Sequence, residues 1–429
     1  MPAGLTDLLQ LPPVLRGAIK GILREPFQPR GLWSDETIHS FVSRRFGDHV
    51  ARNVVGGIVS GIYGGDVEKL SMRSCFPRLW DMESGPHGSI LKTMLKGGSG
   101  GDKSKVAVNL DPALGVVPGD TDFVHDFSKA AQVSFVRGLE QLTMEIEQNL
   151  LSDDRVRIVR GDPAVELVQH AGGGGGASVR LASGEMLESS HVFSTLPSSE
   201  LGSLLVGKRR RREMGRSDSN GEMGNGESDG ETGGGEMISE AASNILLDME
   251  ACDIGVVNMS FDDSSLIERP GFGYLVPSSE GENILGVSFD SCIFPEQEAA
   301  SAERVPAAAN GSIKKKSAVV CVMIGGVHAS NVREMDDEDL LREAKAGLSK
   351  HLKIDPKRVA QHLTSHEVGV MKDCIPQYRV GHFDRVKQLE NILDKDVPSL
   401  TILGTSFYGV GLADSVSKAK EIAGSFRMV

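Results

Sequence analysis

The chain reads as a mixed α/β protein, and three observations carry that reading. Its first hundred residues show helical apolar spacing. Its middle holds several short runs of alternating residues. Its end, Leu400 to Asp414, reads as a buried strand, a glycine-punctuated turn and the start of a helix. In that last unit Leu400, Ile402 and Leu403 form the apolar run. Gly404, Gly409 and Gly411 let the backbone turn tightly and approach something closely. Asp414 can cap a helix whose apolar face carries Val416, Ala419 and Ala423. A helix start behind small residues offers free N–H groups to a phosphate or an electron-rich ring edge. A purely structural strand–helix turn has the same signature.

The remaining elements follow in chain order. Residues 5–30 are amphipathic and broken by proline. Leu8, Leu9, Leu11, Val14, Leu15, Ile19, Ile22 and Leu23 stand against Arg16, Lys20 and Arg24. Such a segment lies on a membrane surface or packs as a helix pair on the domain. Ser34-Asp35-Glu36 opens a helix with stripe Ile38, Phe41, Val42 and Phe46, ended by Gly47. Asp48 opens a second helix with Val50, Val54, Ile58, Val59 and Ile62. A helix is expected over 128–151, carrying Val133, Val136, Leu139, Leu142, Ile146 and Leu150. Strands are expected at 156–160, 164–169, 177–182 and 191–196, the middle pair forming a hairpin around the run Gly172–Gly176. Further strands fall near 254–261, 272–276, 284–290 and 318–325, and a helix over 336–351. The alternation around 254–325 suggests an antiparallel or mixed sheet.

Composition narrows the function classes. The 429 residues suffice for two or three domains, and 39% hydrophobic with 24% charged residues fits a soluble or peripheral protein. A net charge of −13 argues against general nucleic-acid binding. No run approaches the roughly 18 apolar residues of a spanning helix. Cys75, Cys252, Cys292, Cys321 and Cys374 are scattered, which argues against a disulfide framework or a zinc site. His362 and His366 lie four apart without an HExxH context, so they read as surface or capping residues. The start, Met1 to Asp7, is neither a secretory signal nor an Arg-rich transit peptide. Residues 96–105, 172–176, 208–240 and 297–317 are low in complexity and are expected to be disordered inserts. The run Lys208 to Arg212 reads as a basic patch or, given the acids behind it, as part of a solvated insert.

Several stretches, in order along the chain, resemble one family. They are Phe41–Gly47, Gly61–Asp66 and Leu70–Pro77, then Gly271–Ser279 followed by Leu285–Val287, Asp290-Ser291 and Phe294-Pro295, then Asp373–Tyr378 and the C-terminal turn. Together they resemble the protoporphyrinogen oxidases of the flavin amine-oxidase superfamily. The resemblance runs from residue 4 to the C-terminus, and the GFGYLVPSSE stretch is specific to this oxidase within the superfamily. It implies FAD as cofactor, protoporphyrinogen IX as substrate and O2 as acceptor. It also implies a peripheral seat on the mitochondrial inner membrane, a possible homodimer and no nucleic-acid partner.

The resemblance assigns roles by position. Gly61, Phe272, Gly273, Leu275 and Met323 match positions lining the macrocycle pocket. Thr405, Val410, Gly411 and Leu412 match the turn that meets the flavin ring, and Thr195, Leu196 and Pro197 a strand end near it. Ala164 or Val165 matches the backbone at the adenine end. No catalytic acid, base or metal ligand is assigned. The implied organisation is a helical, membrane-associated substrate lobe over 1–125 and part of a Rossmann-like FAD-binding domain over 126–200. A disordered insert at 208–240, a mixed-sheet substrate domain over 245–380 and the C-terminal part of the FAD domain over 381–429 complete it.

One departure stands out. The family's strand–GxGxxG–helix unit for the FAD pyrophosphate is not found, and Gly97–Gly101 follows no strand. The sequence is then either truncated at its start, with impaired activity, or a non-catalytic remnant that binds porphyrin or a partner enzyme. A third reading is another flavin amine oxidase or desaturase, which the GFGYLVPSS and CIPQY stretches disfavour. The family's propionate-binding arginine would lie in the missing part, with Arg44, Arg45 and Arg73 as candidates here.

Overall fold

The computed structural model describes residues 13–97, 134–170, 175–205, 239–297, 317–329 and 331–426. Residues 5–12, most of the four low-complexity segments and the first turn of the helix expected at 128–151 lie outside the described residues.

The first part is a helical lobe: α1 (Pro13–Arg24), α2 (Ile38–Phe46), α3 (Asp48–Val50), a π turn (Ala51–Val55), α4 (Gly56–Tyr63), α5 (Met72–Cys75), α6 (Pro77–Ser84) and α7 (Ile90–Gly97). The Thr37 hydroxyl caps α2 by accepting from the Ser40 N–H at 3.1 Å, and Gly47 ends it at φ +97°. The helix therefore starts after Ser34-Asp35-Glu36. Asp35 serves elsewhere, accepting from the Ser71 hydroxyl and the Gly381 N–H, each at 2.8 Å. Most of the expected stripe packs: Ile38, Phe41, Val42, Val50 and Val59 are buried with Tyr63, Leu70 and Met72, whereas Ile58 and Ile62 of the second helix are exposed.

Charge holds this lobe as well as apolar packing. Arg45 is fully buried and paired with Glu25 and Glu83. Its guanidinium also donates to the Gly88 carbonyl at 3.0 Å. Glu25 accepts in turn from the Ser89 hydroxyl at 2.6 Å and the Ile90 N–H at 2.9 Å. Arg44 pairs with Glu36 and Glu83.

A second group of elements surrounds a small parallel pair. α8 (Glu140–Leu151) has no buried residue. β1 (Ala164–Gln169), β2 (Ala177–Leu181) and β3 (Met186–Ser189) form an antiparallel sheet, so the expected hairpin is present. Residues 156–160 form no strand, because alternation alone supplies no ladder partner. β4 (Val192–Ser194) pairs in parallel with the C-terminal strand. α9 (Ser198–Leu205) and α10 (Glu240–Leu247) pack beside it through Leu201, Leu205 and Leu246.

The third group is a five-stranded sheet of β5 (Ala251–Phe261), β6 (Gly273–Leu275), β7 (Ile284–Ser288), β8 (Ala318–Gly325) and β9 (Leu363–Pro376), in the order β6-β7-β8-β5-β9. Every ladder in it is antiparallel, so the sheet is not mixed. A short helix, α11 (Asp290–Ile293), follows β7. α12 (Asp337–Leu352) covers one face, with Leu340, Ala344 and Leu348 packed on Val257, Met259, Val320, Val322 and Ile324. The Asp336 carboxylate caps α12 by accepting from the Asp339 N–H at 2.8 Å. α13 (Pro356–His362) leads into β9, and His362 lies on Asp262 at 2.8 Å, a surface contact as expected. α14 (His382–Asp396), β10 (Leu400–Ile402) and α15 (Leu412–Ser425) close the chain.

Candidate active site

The C-terminal unit sits where an open α/β sheet places its ligands. β4 and β10 run parallel, and their carboxyl ends carry the exposed residues Thr195, Leu196 and Pro197 on one side and Thr405 on the other. The Leu403 N–H donates to the Ser194 carbonyl at 2.8 Å, and the Ser198 N–H to the Ser406 hydroxyl at 3.1 Å. Gly404 turns at φ +103° with Thr195 alongside. The two strand ends matched to the flavin ring are thus brought together. α15 then starts at Leu412, and Asp414 caps it from inside, accepting from the Gly411 N–H at 3.3 Å. Val410 packs against the helical lobe, while Leu412 and Val416 are exposed. The apolar face expected for this helix is therefore uncovered, and among the described residues α15 buries none of its own.

Two side chains that the sequence reading did not single out hold this turn. The Tyr378 hydroxyl accepts from the Gly409 N–H at 2.8 Å and donates to the Thr405 carbonyl. The His382 ring stacks on Tyr378 at 3.8 Å and 15°, and its Nε2–H donates to the Phe407 carbonyl at 3.1 Å. Burial pushes the His382 pKa down to about 4, so the ring is neutral near pH 7 and keeps one N–H to give. Phe407 itself is fully buried. Ala164 and Val165 are exposed at the start of β1, held by the Ala182 N–H donating to the Pro163 carbonyl at 2.9 Å. No described hydrogen bond joins them to the turn.

Of the positions matched to the macrocycle, Leu275 and Met323 share the sheet face away from α12, Gly61 of α4 lies against Leu275, and Phe272 precedes β6. One cross-strand row reads Leu275, Gly286, Met323, Val256, Gly369. Leu275 lies between two glycines. A Cβ on Gly61 of α4 would overlap its side chain, and one on Gly286 would come within 2.9 Å of it. These glycines let helix, side chain and strand stack closely. Met323 is half-buried against Cys252, Ile254 and Leu285. Phe272 and Leu275 stay 58% and 41% exposed, more than core packing alone requires. Gly273 has a backbone reason of its own: it sits at φ +137°, and a Cβ would overlap the Val287 carbonyl.

The arginine candidates are placed differently from the expectation. Arg45 is sealed in its ion cluster and Arg44 is engaged by two carboxylates, so neither is free for a substrate carboxylate. Arg73 faces Asp384 at 3.6 Å.

The turn from Gly404 to Gly411 fits FAD in part. Exposed strand ends, a turn with positive φ at Gly404 and Gly409 and an accessible helix start can meet a ring edge with backbone N–H groups.

Comparison with known proteins identifies the family. The family model described as flavin containing amine oxidoreductase matches residues 1–221, just over half of the chain. The chain is 30% identical over 428 residues to the protoporphyrinogen oxidase of Macaca fascicularis, covering 99% of this chain and 76% of that one. The human protoporphyrinogen oxidase gives 30% over 430 residues, with the same coverage. A solved structure from Exiguobacterium, provisionally assigned as a protoporphyrinogen oxidase, shares the fold at TM-score 0.64 and 16% identity, over 95% of this chain and 71% of that one. The chain belongs to the protoporphyrinogen oxidases, within the flavin-containing amine oxidoreductase family.

Proposed function

We propose that this chain oxidises protoporphyrinogen IX to protoporphyrin IX, with FAD as cofactor and O2 as final acceptor. The observation that supports this most is the pairing of two half-sites. An apolar sheet row with Leu275, covered by α4 and preceded by exposed Phe272, stands on one side, and a strand–glycine–helix turn on the other, with Gln377 bonded to the end of α4 and Tyr378 to the turn. Bound FAD would supply hydride acceptance and its return to O2. Thr405, Val410, Gly411 and Leu412 would hold its ring, with Thr195–Pro197 alongside and Ala164 or Val165 toward its adenine end. The chain's task is orientation. Leu275 and Phe272 offer flat apolar faces, Met323 fills, and the Gly61 carbonyl accepts from a pyrrole N–H. On this reading residues 1–125 and 245–380 form the substrate side, and 126–200 with 381–429 the cofactor side. Purified protein supplied with FAD and aerated protoporphyrinogen IX should develop porphyrin fluorescence above the autoxidation rate. A chain that takes up no FAD and leaves that rate unchanged would overturn the proposal.

The exposed pocket residues give a sharper test. Phe272→Ala removes surface that is more than half in water already, so stability should fall by less than about 1 kcal/mol, whereas Leu275→Ala also empties the space between Gly61 and Gly286 and should cost about 1–3 kcal/mol. The KM should nevertheless rise about tenfold, the mark of lost apolar binding. An unchanged KM would make both residues ordinary sheet edge.

The membrane seat belongs to the same reading. Phe27, Leu32, Trp33 and Leu95 are 84%, 96%, 72% and 77% exposed on the helical lobe. Lys92 sits over the Phe27 ring at 5.8 Å, which joins α7 to the Glu25–Trp33 segment. Apolar rings beside cations suit an anionic bilayer surface, here that of the mitochondrial inner membrane. Among the described residues no helix is long and apolar enough to cross a membrane. Changing Phe27, Leu32 and Trp33 together to Ser should abolish co-sedimentation with cardiolipin-containing vesicles while leaving the thermal melt in place. Undiminished co-sedimentation would move the seat elsewhere. A homodimer is part of the same reading, and light scattering would count its subunits.

A further inference from the structure

We infer that Tyr378 is a positioning residue for the flavin, acting through the turn that runs from Gly404 to Gly411. The inference rests on the proposed role of that turn. Three backbone groups of the turn, the Thr405 carbonyl, the Phe407 carbonyl and the Gly409 N–H, are taken by the stacked pair Tyr378 and His382. One hydroxyl spans the turn. It donates to the flank bearing Thr405 and accepts from the flank leading to Val410 and Gly411.

The turn needs such a brace. Gly409 sits at φ +131°, and a Cβ there would lie 2.6 Å from the Asp414 carboxylate. α15, which follows, buries no residue that would anchor it from the other end. The brace is itself rigid: Tyr378 is 1% exposed and its ring lies flat on His382. Phe407 and the bond from the Ser198 N–H to Ser406 hold the turn's middle, Asp414 holds Gly411, and the Tyr378 hydroxyl alone ties the two flanks to each other.

The same short segment reaches the substrate side. The Tyr378 carbonyl accepts from the Ser71 N–H at 2.8 Å. The neighbouring Gln377 amide donates to the Tyr63 carbonyl at 2.8 Å, two residues beyond Gly61. Gln377-Tyr378 therefore sets the height of α4, and with it Gly61 and Leu275, against the flavin-facing turn. Redox geometry tolerates little error between a hydride donor and its acceptor, so the hydroxyl should be felt in turnover and in the flavin rather than in substrate affinity.

Tyr378→Phe in the full chain keeps the ring and the stack and removes only the hydroxyl. Without added FAD, exchange of the Gly409 amide should speed up about tenfold, while amides of α12 and β8 keep their rates. With FAD added, its dissociation constant should rise about tenfold and the visible circular dichroism of the bound flavin should change. kcat should fall with KM for protoporphyrinogen IX unaltered. Faster Gly409 exchange with unchanged FAD affinity, flavin dichroism and kcat would overturn the inference and leave the hydroxyl a fold contact. A rise in KM alone would also overturn it. If Tyr378→Phe does not fold, His382→Gln loosens the turn from its middle and is read by the same measurements. Failure of the functional reading is seen separately, on the wild-type chain, as no uptake of FAD.

Discussion

Arg45→Met should unfold the helical lobe at a much lower urea concentration than wild type. Arg45 is the largest fully buried side chain among the described residues, and it stands between Glu25 and Glu83, both also buried. Removing it leaves Glu25 in the interior without its cation and Glu83 with Arg44 alone, and breaking a buried pair in this way costs about 3–5 kcal/mol. The loss is larger than the pair's net worth, because the surviving acids keep their desolvation penalty. Both tryptophans of the chain, Trp33 and Trp80, lie in this lobe, so fluorescence reads its unfolding. Adding Glu83→Met to Arg45→Met should recover part of the loss. The pH dependence follows from Glu83. Burial raises its pKa, but the hydrogen bonds and charges of Arg44 and Arg45 outweigh burial and hold it below the usual value. A carboxylate depressed in the fold contributes stability that is fully present above about pH 4.3, its unfolded value, and is lost as pH falls through the lower folded value. Acid should therefore open the wild-type lobe below about pH 4, and Glu83→Gln should blunt that slope. An Arg45→Met melt that overlays wild type would show that the cluster is not what holds the lobe.

The same cluster shows where reading the sequence reaches its limit. Arg44 and Arg45 stand beside a family motif and invite a role on substrate, yet their partners are 38 and 39 residues away in Glu83, and only folding brings them together. Local signals fare better. β1 and β8 start and end where their alternation says, because each strand has one buried face. β9 escapes that logic. It begins Leu363-Thr364-Ser365-His366-Glu367, polar and exposed, and exists as a strand because β5 offers it a ladder along most of its fourteen residues. α14 is absent from the sequence reading, although Val386, Leu389 and Leu393 stand at helical spacing on a buried face. At the site, the motifs locate the turn and the pocket row. The brace on the turn is not legible, because the Tyr378 hydroxyl meets Thr405 and Gly409 across 27 and 31 residues. Gly273 shows the converse: a residue matched to substrate lining turns out to be required by the backbone first.

Gly326→Val should damage fold and substrate binding together, and the seam it occupies says why. α4 ends at Gly64, in the left-handed region at φ +55°, and Gly326 follows β8 at φ +75°. The two backbones touch there. The Val327 N–H donates to the Gly64 carbonyl at 2.8 Å, and a Cβ on Gly326 would overlap that oxygen and lie 3.0 Å from the Gly64 Cα. A flexible side chain could swing aside, but two main chains in hydrogen-bond register cannot. Valine at Gly326 would bear a left-handed backbone, about 1–2 kcal/mol, and overpacking of about 1–3 kcal/mol on top. Relief requires α4 to lift from the sheet. That motion carries Gly61 away from Leu275 and opens the stack that Gly286 completes from below. The expected result is a loss of roughly 2–5 kcal/mol in urea melts, accompanied by a raised KM for protoporphyrinogen IX. Gly424→Ala, where nothing lies within 4 Å, is the control and should leave both unchanged. If Gly326→Val lowers stability but leaves KM alone, the height of α4 over the sheet does not set the pocket, and the Gly61–Leu275–Gly286 stack is packing rather than a substrate surface.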